Sequence, residues 1–526
     1  MHQHLLRRIL IAALAIVACA ALAACGSSKD SASKTTDTSA PAADVAPSAD
    51  DTLRVAYTAD PSGGVDPSTF YDIEGQSVIL SVYEGLATYA PDSSEIEPLL
   101  AESWETSADG KTYTFKLRDG VTFHDGGKLD AQVVKDSLQR SIDLEGGPSY
   151  MLADVAKMTV VDPLTLEVGL KQRNNAFLSY LASMYGPKIV SPAALKAHPG
   201  KKGADWFQTN AAGSGPFQLD SYKRGRDFRM SRFADYWGDE PYFAKIVISI
   251  IPDVSSQRLQ LQSGDLDLIT HGVPVAELET ITRDGQLQVV HYPAALRQRV
   301  SLNTSKAPFD DIANRQAFVA ALDIPGAVAS TYGDYAKAAT SQYPGVMGVD
   351  APVTAPEAGD APDLGKLTMT YPSAEPDSKR LAEFMQQSLQ AAGFDVTLRG
   401  ATVSEAFAIA SAPEKAPEVW LGTPNPDSAD PYTWAQPAWA SAGGLNVYAT
   451  PDKTIDKLVE QANQADDPAA AADLYAQIGA HMNEQAASVP VDDLDDVFVA
   501  AKDLIGFQHV PVYVWTPNLA RLARQQ

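Results

Sequence analysis

Cysteine is absent from everything beyond residue 25: the only two, Cys19 and Cys25, sit at the extreme N-terminus. The body of the chain therefore has no disulfide and no thiolate metal site. A body this large buries enough surface to do without bridges, so their absence does not argue against export. Basic residues are scarce, 41 Lys and Arg against 66 Asp and Glu, for a net charge of −25. Such a surface repels nucleic acid and anionic bilayers, and no basic block offsets it, so no nucleic-acid partner is expected. The eight histidines are scattered (His2, His4, His124, His198, His271, His291, His481 and His509), and none in the body has metal-ligand spacing. There is no Gly-x-Ser-x-Gly elbow, no His-Glu-x-x-His and no P-loop. Gly213-Ser214-Gly215 opens like a dinucleotide loop, but Gln218 stands where the third glycine belongs, and the segment reads as a backbone turn. No catalytic residue, metal or cofactor is expected, and the chain is read as a non-enzyme. No internal repeat is visible, and after residue 22 no long apolar run appears.

What is present begins with the first 25 residues. Arg7 and Arg8 form a basic start, and Ile9 to Leu22 is an apolar run too short for a comfortable membrane span. Leu22-Ala23-Ala24-Cys25, followed by Gly26-Ser27, resembles a bacterial lipobox, in which the cysteine is acylated and becomes the new N-terminus. The competing reading is an ordinary signal peptide cut near Ala24. Residues 1–24 are accordingly read as a lipoprotein signal peptide with lipid attachment at Cys25. Residues 25–51, mostly Ser, Ala, Thr, Asp, Lys and Pro after the cysteine, are read as a flexible tether. The membrane is then reached through the lipid anchor alone.

With 526 residues, 45% of them apolar, the chain has material for two or three structural units. Leu53–Tyr57 and Tyr113–Leu117 alternate as strands do, and Met158–Val161 with Leu164–Val168 reads as a hairpin across Asp162-Pro163. Ile246–Ile251 is a short buried strand. Leu367–Tyr371, a helix capped by Asp377 with Leu381, Phe384, Met385 and Leu389 on one face, a stop at Gly393 and a strand Phe394–Leu398 make a βαβ-like stretch. Thr454 to Ala487 is helix-rich. The pattern predicts an α/β protein with two unequal lobes.

Several ordered segments resemble the bacterial extracellular solute-binding proteins of the dipeptide/oligopeptide class, family 5. They include Leu100-Ala-Glu-Ser-Trp104, Asp109-Gly-Lys-Thr-Tyr-Thr-Phe115, Leu117-Arg-Asp-Gly-Val121 and Phe123-His-Asp-Gly126. Further on come Tyr83-Glu-Gly-Leu86, Gly213-Ser-Gly-Pro-Phe217, Asp235-Tyr-Trp-Gly238, Arg315-Gln316-Ala317 and Asp430-Pro431. The resemblance implies a two-lobed, type II periplasmic-binding-protein-like fold with an extra subdomain in the first lobe. It places lobe I at 52–90, 210–292 and 503–526, the subdomain at 91–209 and lobe II at 293–502. It implies a monomeric, extracytoplasmic capture subunit of an ABC importer, on the outer face of the cell membrane, partnered by permease subunits with a cytoplasmic ATPase. The ligand would be a small peptide; a non-peptide solute such as an oligosaccharide, or a ligand-sensing surface receptor, are the alternatives. Trp104, Tyr113 and Phe115 are expected in the subdomain core, and Arg315 in a structural ion pair.

The candidate ligand-binding segment is Glu418 to Trp434. In peptide-binding relatives an aspartate ahead of an Asp-Pro pair meets the peptide's terminal ammonium. Counting back from Asp430-Pro431 gives Asp427; counting forward from Trp420 gives Thr423. Asp427 is preferred, and a turn-capping role for it is the competing reading. Trp420, Tyr432 and Trp434 are candidate flat walls, with Asp430 beside them, although the aromatics equally suit a core. Two departures from the family pattern are Glu418, which weighs against a ligand with a free carboxylate, and Val133, which replaces an aspartate at a helix start.

Overall fold

Residue Thr52 begins a strand that ends at Tyr57, and its alternation sorts the side chains: Leu53, Val55 and Tyr57 enter one core while Ala56 enters another. In this computed structural model the described residues are 45–525, apart from 358, 360, 403–404, 406–407, 409–411, 447 and 449–450. They belong to one unit, Ser39–Gln526. Cys25 and the lipobox lie outside the described residues.

Thr52–Tyr57 is central to an eight-stranded mixed sheet. Lys245–Ile250 and Leu268–Ile269 flank it in parallel. Asp227–Arg232 and Phe217–Lys223 extend the sheet on one side, and Asp492–Ala501 and Leu287–Leu296 on the other. Ala336–Ala338 pairs on Asp492–Ala501. The chain thus re-enters this sheet at Asp492, ahead of the 503 start expected for the last piece of lobe I.

A second, four-stranded antiparallel sheet lies within residues 101–170, in the order Ala101–Thr106, Thr112–Leu117, Thr165–Leu170, Val155–Asp162. The last two are the hairpin anticipated at Asp162-Pro163. Tyr113 and Phe115 are buried in its core, with Trp104 packed at the edge. The helix Ala131–Leu144 covers it, capped by the Asp130 carboxylate, which accepts from the Val133 amide at 2.8 Å. Val133 itself is buried in that core, so the missing aspartate leaves the cap intact.

The third sheet has five strands: Asp395–Ala401, Lys366–Pro372, Val419–Gly422, Arg299–Leu302 and Ser488–Pro490. The first three run parallel. The helix Pro376–Ala391 packs on it through Leu381, Met385 and Leu389. Its cap position is Glu375, not Asp377; the Asp377 carboxylate instead accepts from the Val275 amide at 3.1 Å. A tertiary amide has outcompeted the local one. The helices Lys453–Gln464 and Pro468–Gln485 build an aromatic cluster with Tyr343, Trp434 and Trp439. Arg315 makes no ion pair among the described residues. Its guanidinium donates to the Phe309 and Gln485 carbonyls, both at 2.8 Å, and the Asp310 and Asp311 carboxylates act on it only at longer range.

Gly213-Ser214-Gly215 is a close backbone crossing. A Cβ at Gly213 would sit 2.0 Å from the Val82 carbonyl oxygen, and the Gly215 amide donates to that oxygen at 3.0 Å. Among the described residues no helix is long and apolar enough to cross a membrane.

Candidate ligand-binding site

Two sheets present the carboxyl ends of parallel strands, the usual place for a ligand in open α/β sheets. In the eight-stranded sheet these ends lead into Thr58 and into Thr270-His271. In the five-stranded sheet they lead into Glu375 and Thr423. The loop that leaves Gly422 carries Asp427 and closes at Asp430-Pro431, ahead of the helix Tyr432–Trp439.

Asp427 is 8% exposed. Its carboxylate accepts from the Tyr71 hydroxyl at 2.8 and 2.9 Å and from the Tyr150 hydroxyl. No cationic side chain pairs with it among the described residues. Burial raises its pKa above the ordinary aspartate value, and the two tyrosine hydrogen bonds pull against that rise. Tyr71 and Tyr150 are themselves pushed far up, by burial and then by the Asp427 charge, so both stay protonated donors. Their rings are not enclosed: Tyr71 is 47% and Tyr150 40% exposed. The carboxylate is thus covered by two tyrosines that are themselves part-exposed.

Gly146-Gly147 bring the two tyrosines together. A Cβ at Gly146 would lie 2.7 Å from the Thr69 backbone, and one at Gly147 would lie 2.7 Å from Tyr71. Only a side-chain-free pair lets residues 69–71 touch the turn Gly147–Leu152 that holds Tyr150. Tyr185 stacks at a tilt on Tyr71, ring centroids 4.8 Å apart, and Tyr180 meets Tyr150 edge-on at 5.6 Å. The backbone around Asp427 is fixed by small hydroxyls. Ser183 donates to the Asp427 carbonyl, Ser179 to the Ser428 hydroxyl at 2.9 Å, and the Ala429 amide to the Tyr89 hydroxyl at 3.1 Å.

The other candidate residues are dispersed. Thr423 donates to Glu375 at 3.0 Å, and Ser378 donates to the same oxygen at 2.6 Å; burial raises the Glu375 pKa. Asp430 turns back to accept from the Tyr432 amide at 2.9 Å, and burial pushes its pKa up to about 6. Tyr432 is half-buried at the first turn of its helix. Trp420 is half-buried on the sheet face opposite the core residues Val419 and Leu421, with its indole over Gly422. Trp434 is 1% exposed, 6.2 Å from Trp439, with the Arg299 guanidinium 5.9 Å from its ring, which makes it a core residue rather than a wall. Glu418 lies at the opposite end of its strand, paired with Lys306 at 3.0 Å and accepting from the Thr368 amide at 3.0 Å. It is structural and carries no message about the ligand's carboxylate.

Sequence reasoning missed Tyr71, Tyr150 and Tyr185. The one local signal was the Gly146-Gly147-Pro148 run, which demands a close approach by something. It also missed a cluster at the carboxyl edge of the eight-stranded sheet. There His271 lies 3.3 Å from Glu74 and stacks on Trp515, whose φ of 56° is held by its amide donating to Asp496 at 2.8 and 2.9 Å. No group of three or more His, Cys, Asp or Glu among the described residues is arranged to hold a metal ion.

Two mixed sheets with parallel strands and a buried carboxylate without a cationic partner among the described residues suit the binding of a solute. Residues 95–446 match the model of the bacterial extracellular solute-binding proteins, family 5 Middle, and the chain belongs to that family of extracytoplasmic binding proteins, not enzymes. It is 29% identical over 500 residues to the probable D,D-dipeptide-binding periplasmic protein DdpA of Escherichia coli K12, covering 90% of this chain and 93% of that one. It is 29% identical over 486 residues to di/tripeptide-binding protein 2 of Pseudomonas aeruginosa, covering 84% and 89%. Its fold superposes on the periplasmic binding protein DppA of Helicobacter pylori, solved with the peptide STSA, with a TM-score of 0.76, 23% identity and coverage of 90% and 98%. The architecture is the two-lobed type II periplasmic-binding-protein fold.

Proposed function

We propose that the protein is the lipid-anchored substrate-binding subunit of an ABC-type importer and that it captures peptides with a free amino terminus between its two lobes. The observation that carries this reading is Asp427: a buried carboxylate held by two neutral hydroxyls and no cation. Such a group gains most from a ligand that brings a charge-assisted donor. A peptide ammonium does so and displaces one or both phenols. The family, and relatives named for dipeptides and di/tripeptides, support the ligand class. Lobe I is built on the eight-stranded sheet, its subdomain on the four-stranded one, and lobe II on the five-stranded one. Lobe closure traps the solute, a monomer hands it to the permease, and Cys25 anchors the receptor outside the cell membrane.

Calorimetry with a free-amino dipeptide and its N-acetyl form tests the site. Asp427→Asn should cost about 2–5 kcal/mol for the free amine, roughly thirtyfold or more in affinity, and much less for the acetylated peptide. Equal weakening of both would make Asp427 a loop-structuring residue. Failure of both peptides on the unaltered protein would move the ligand to another solute class. Acidification should release the free-amino peptide at a higher pH than an ordinary aspartate would, because burial raises the Asp427 pKa.

A further inference from the structure

We propose that the protein carries a second ligand site, outside the cleft, for a small organic carboxylate with a flat apolar body, with Lys188 as its charge partner. A cavity of about 390 Å³ lies between the helix Gln76–Val82, the strand Ala87–Tyr89, the loop 236–239 and the C-terminal segment 508–521. That volume falls in the range of small-molecule sites. None of Tyr71, Tyr150, Tyr185 or Asp427 lines it.

Lys188 lines the cavity and is 3% exposed. Among the described residues its ammonium donates to one acceptor, the Ser183 carbonyl at 2.9 Å, no carboxylate pairs with it, and two of its three protons have no protein partner. Burial alone pushes its pKa down to about 7. The buried acid of the same cavity is already used. Glu84 accepts from Ser214 at 2.7 Å, from the Trp237 indole at 2.9 Å and from the Tyr236 hydroxyl at 3.1 Å. Arg521, near the mouth, is spent on Asp239 at 2.6 Å. A buried ammonium without an anion is unfavourable, and an apolar residue of the same length would be better for folding alone. The cavity supplies the missing space for an anion. Its walls of Tyr83, Tyr89, Trp237, Tyr513 and Pro98 select a flat apolar body, and a single ammonium matches one carboxylate rather than a phosphate, which wants several donors. The proposal does not depend on what the cleft binds.

The probes are 2-naphthoate and its uncharged amide, titrated calorimetrically into the full chain, Lys188→Met, Thr88→Trp and Asp427→Asn. Thr88 lines the cavity, and tryptophan there adds the bulk to fill it. Naphthoate should bind the unaltered protein and Asp427→Asn alike, tenfold or more weakly to Lys188→Met, and not to Thr88→Trp. The amide should distinguish the unaltered protein from Lys188→Met by less than threefold, and a melting temperature at or above that of the unaltered protein shows that the variant is folded. No naphthoate binding to the unaltered protein, equal binding by Lys188→Met, or retention by Thr88→Trp overturns the proposal. Loss in Asp427→Asn would put the probe in the cleft and overturn it equally.

Discussion

Arg140 and Asp66 form a buried, two-pronged ion pair that fastens the helix Ala131–Leu144 to the loop after the first strand. The guanidinium donates to both carboxylate oxygens at 2.7 Å, and the side chains are 3% and 0% exposed. Its Nε donates to the Lys202 carbonyl at 2.7 Å, and its face lies 4.8 Å from the Phe207 ring. Arg140→Met keeps the bulk of the stem but strands Asp66, whose remaining donor is the Ser68 amide at 3.1 Å. Breaking a buried pair from one side costs about 3–5 kcal/mol, mostly the penalty of the charge left behind. Asp66→Asn keeps an acceptor for Ser68 and strands the arginine instead. The double variant leaves no charge unpaired, so it should be less destabilised than Arg140→Met alone. Urea unfolding of the four proteins, read as midpoint shifts at unchanged slope, measures the cycle. A loss below about 1 kcal/mol for Arg140→Met, or a double variant whose loss equals the sum of the singles, would refute the reasoning.

Burial pushes the Asp496 pKa up to about 8 and that of Asp492 to about 7, so the folded protein holds protons that unfolded aspartates have released above about pH 4. Stability should therefore fall as pH rises from about 4 to 8 on account of these groups, and Asp496→Asn should flatten the slope and raise the melting temperature at pH 8; a parallel slope in the variant would count against this. Cys25→Ser should abolish acylation, seen as loss of detergent partitioning and of the lipid mass; an unmodified parent protein would sink the anchor. Scattering should show a smaller radius of gyration with a saturating peptide, because closure is favoured by contacts made only in the closed state, and no change would contradict a hinge.

The elements that could be read locally were those whose burial is one-sided. Thr112–Leu117 and the hairpin at Asp162-Pro163 alternate because one face meets a helix and the other water, and the face of Pro376–Ala391 shows its period for the same reason. What stayed hidden was set by partners far along the chain. Asp377 looks like a cap until the Val275 amide claims it, and Asp492–Ala501 looks like any late strand until it pairs with Leu287–Leu296. The candidate site divides the same way. Counting from Asp430-Pro431 reaches Asp427, a position that sequence can number but not place against Tyr71 and Tyr150, and Trp434 and Trp420 are equally aromatic in sequence and are separated only by which face of an element meets the core. Tyr71 and Tyr150 sit 79 positions apart, and nothing local marks them as neighbours.

The stretch 174–183 grips residues 427–428 and 463–465 largely through peptide groups and serines. The Asn175 amide donates to the Asn463 carbonyl at 3.0 Å, the Asn175 side chain to the Ala465 carbonyl at 2.8 Å, and Ser179 and Ser183 hold the backbone and hydroxyls of 427–428. Main-chain contacts of this kind are indifferent to whatever cargo is enclosed. On the function proposed above, Asp427 and its tyrosines choose the ligand while these contacts hold the enclosing parts together, so a substitution at Asp427 leaves every donor and acceptor of the clasp in place.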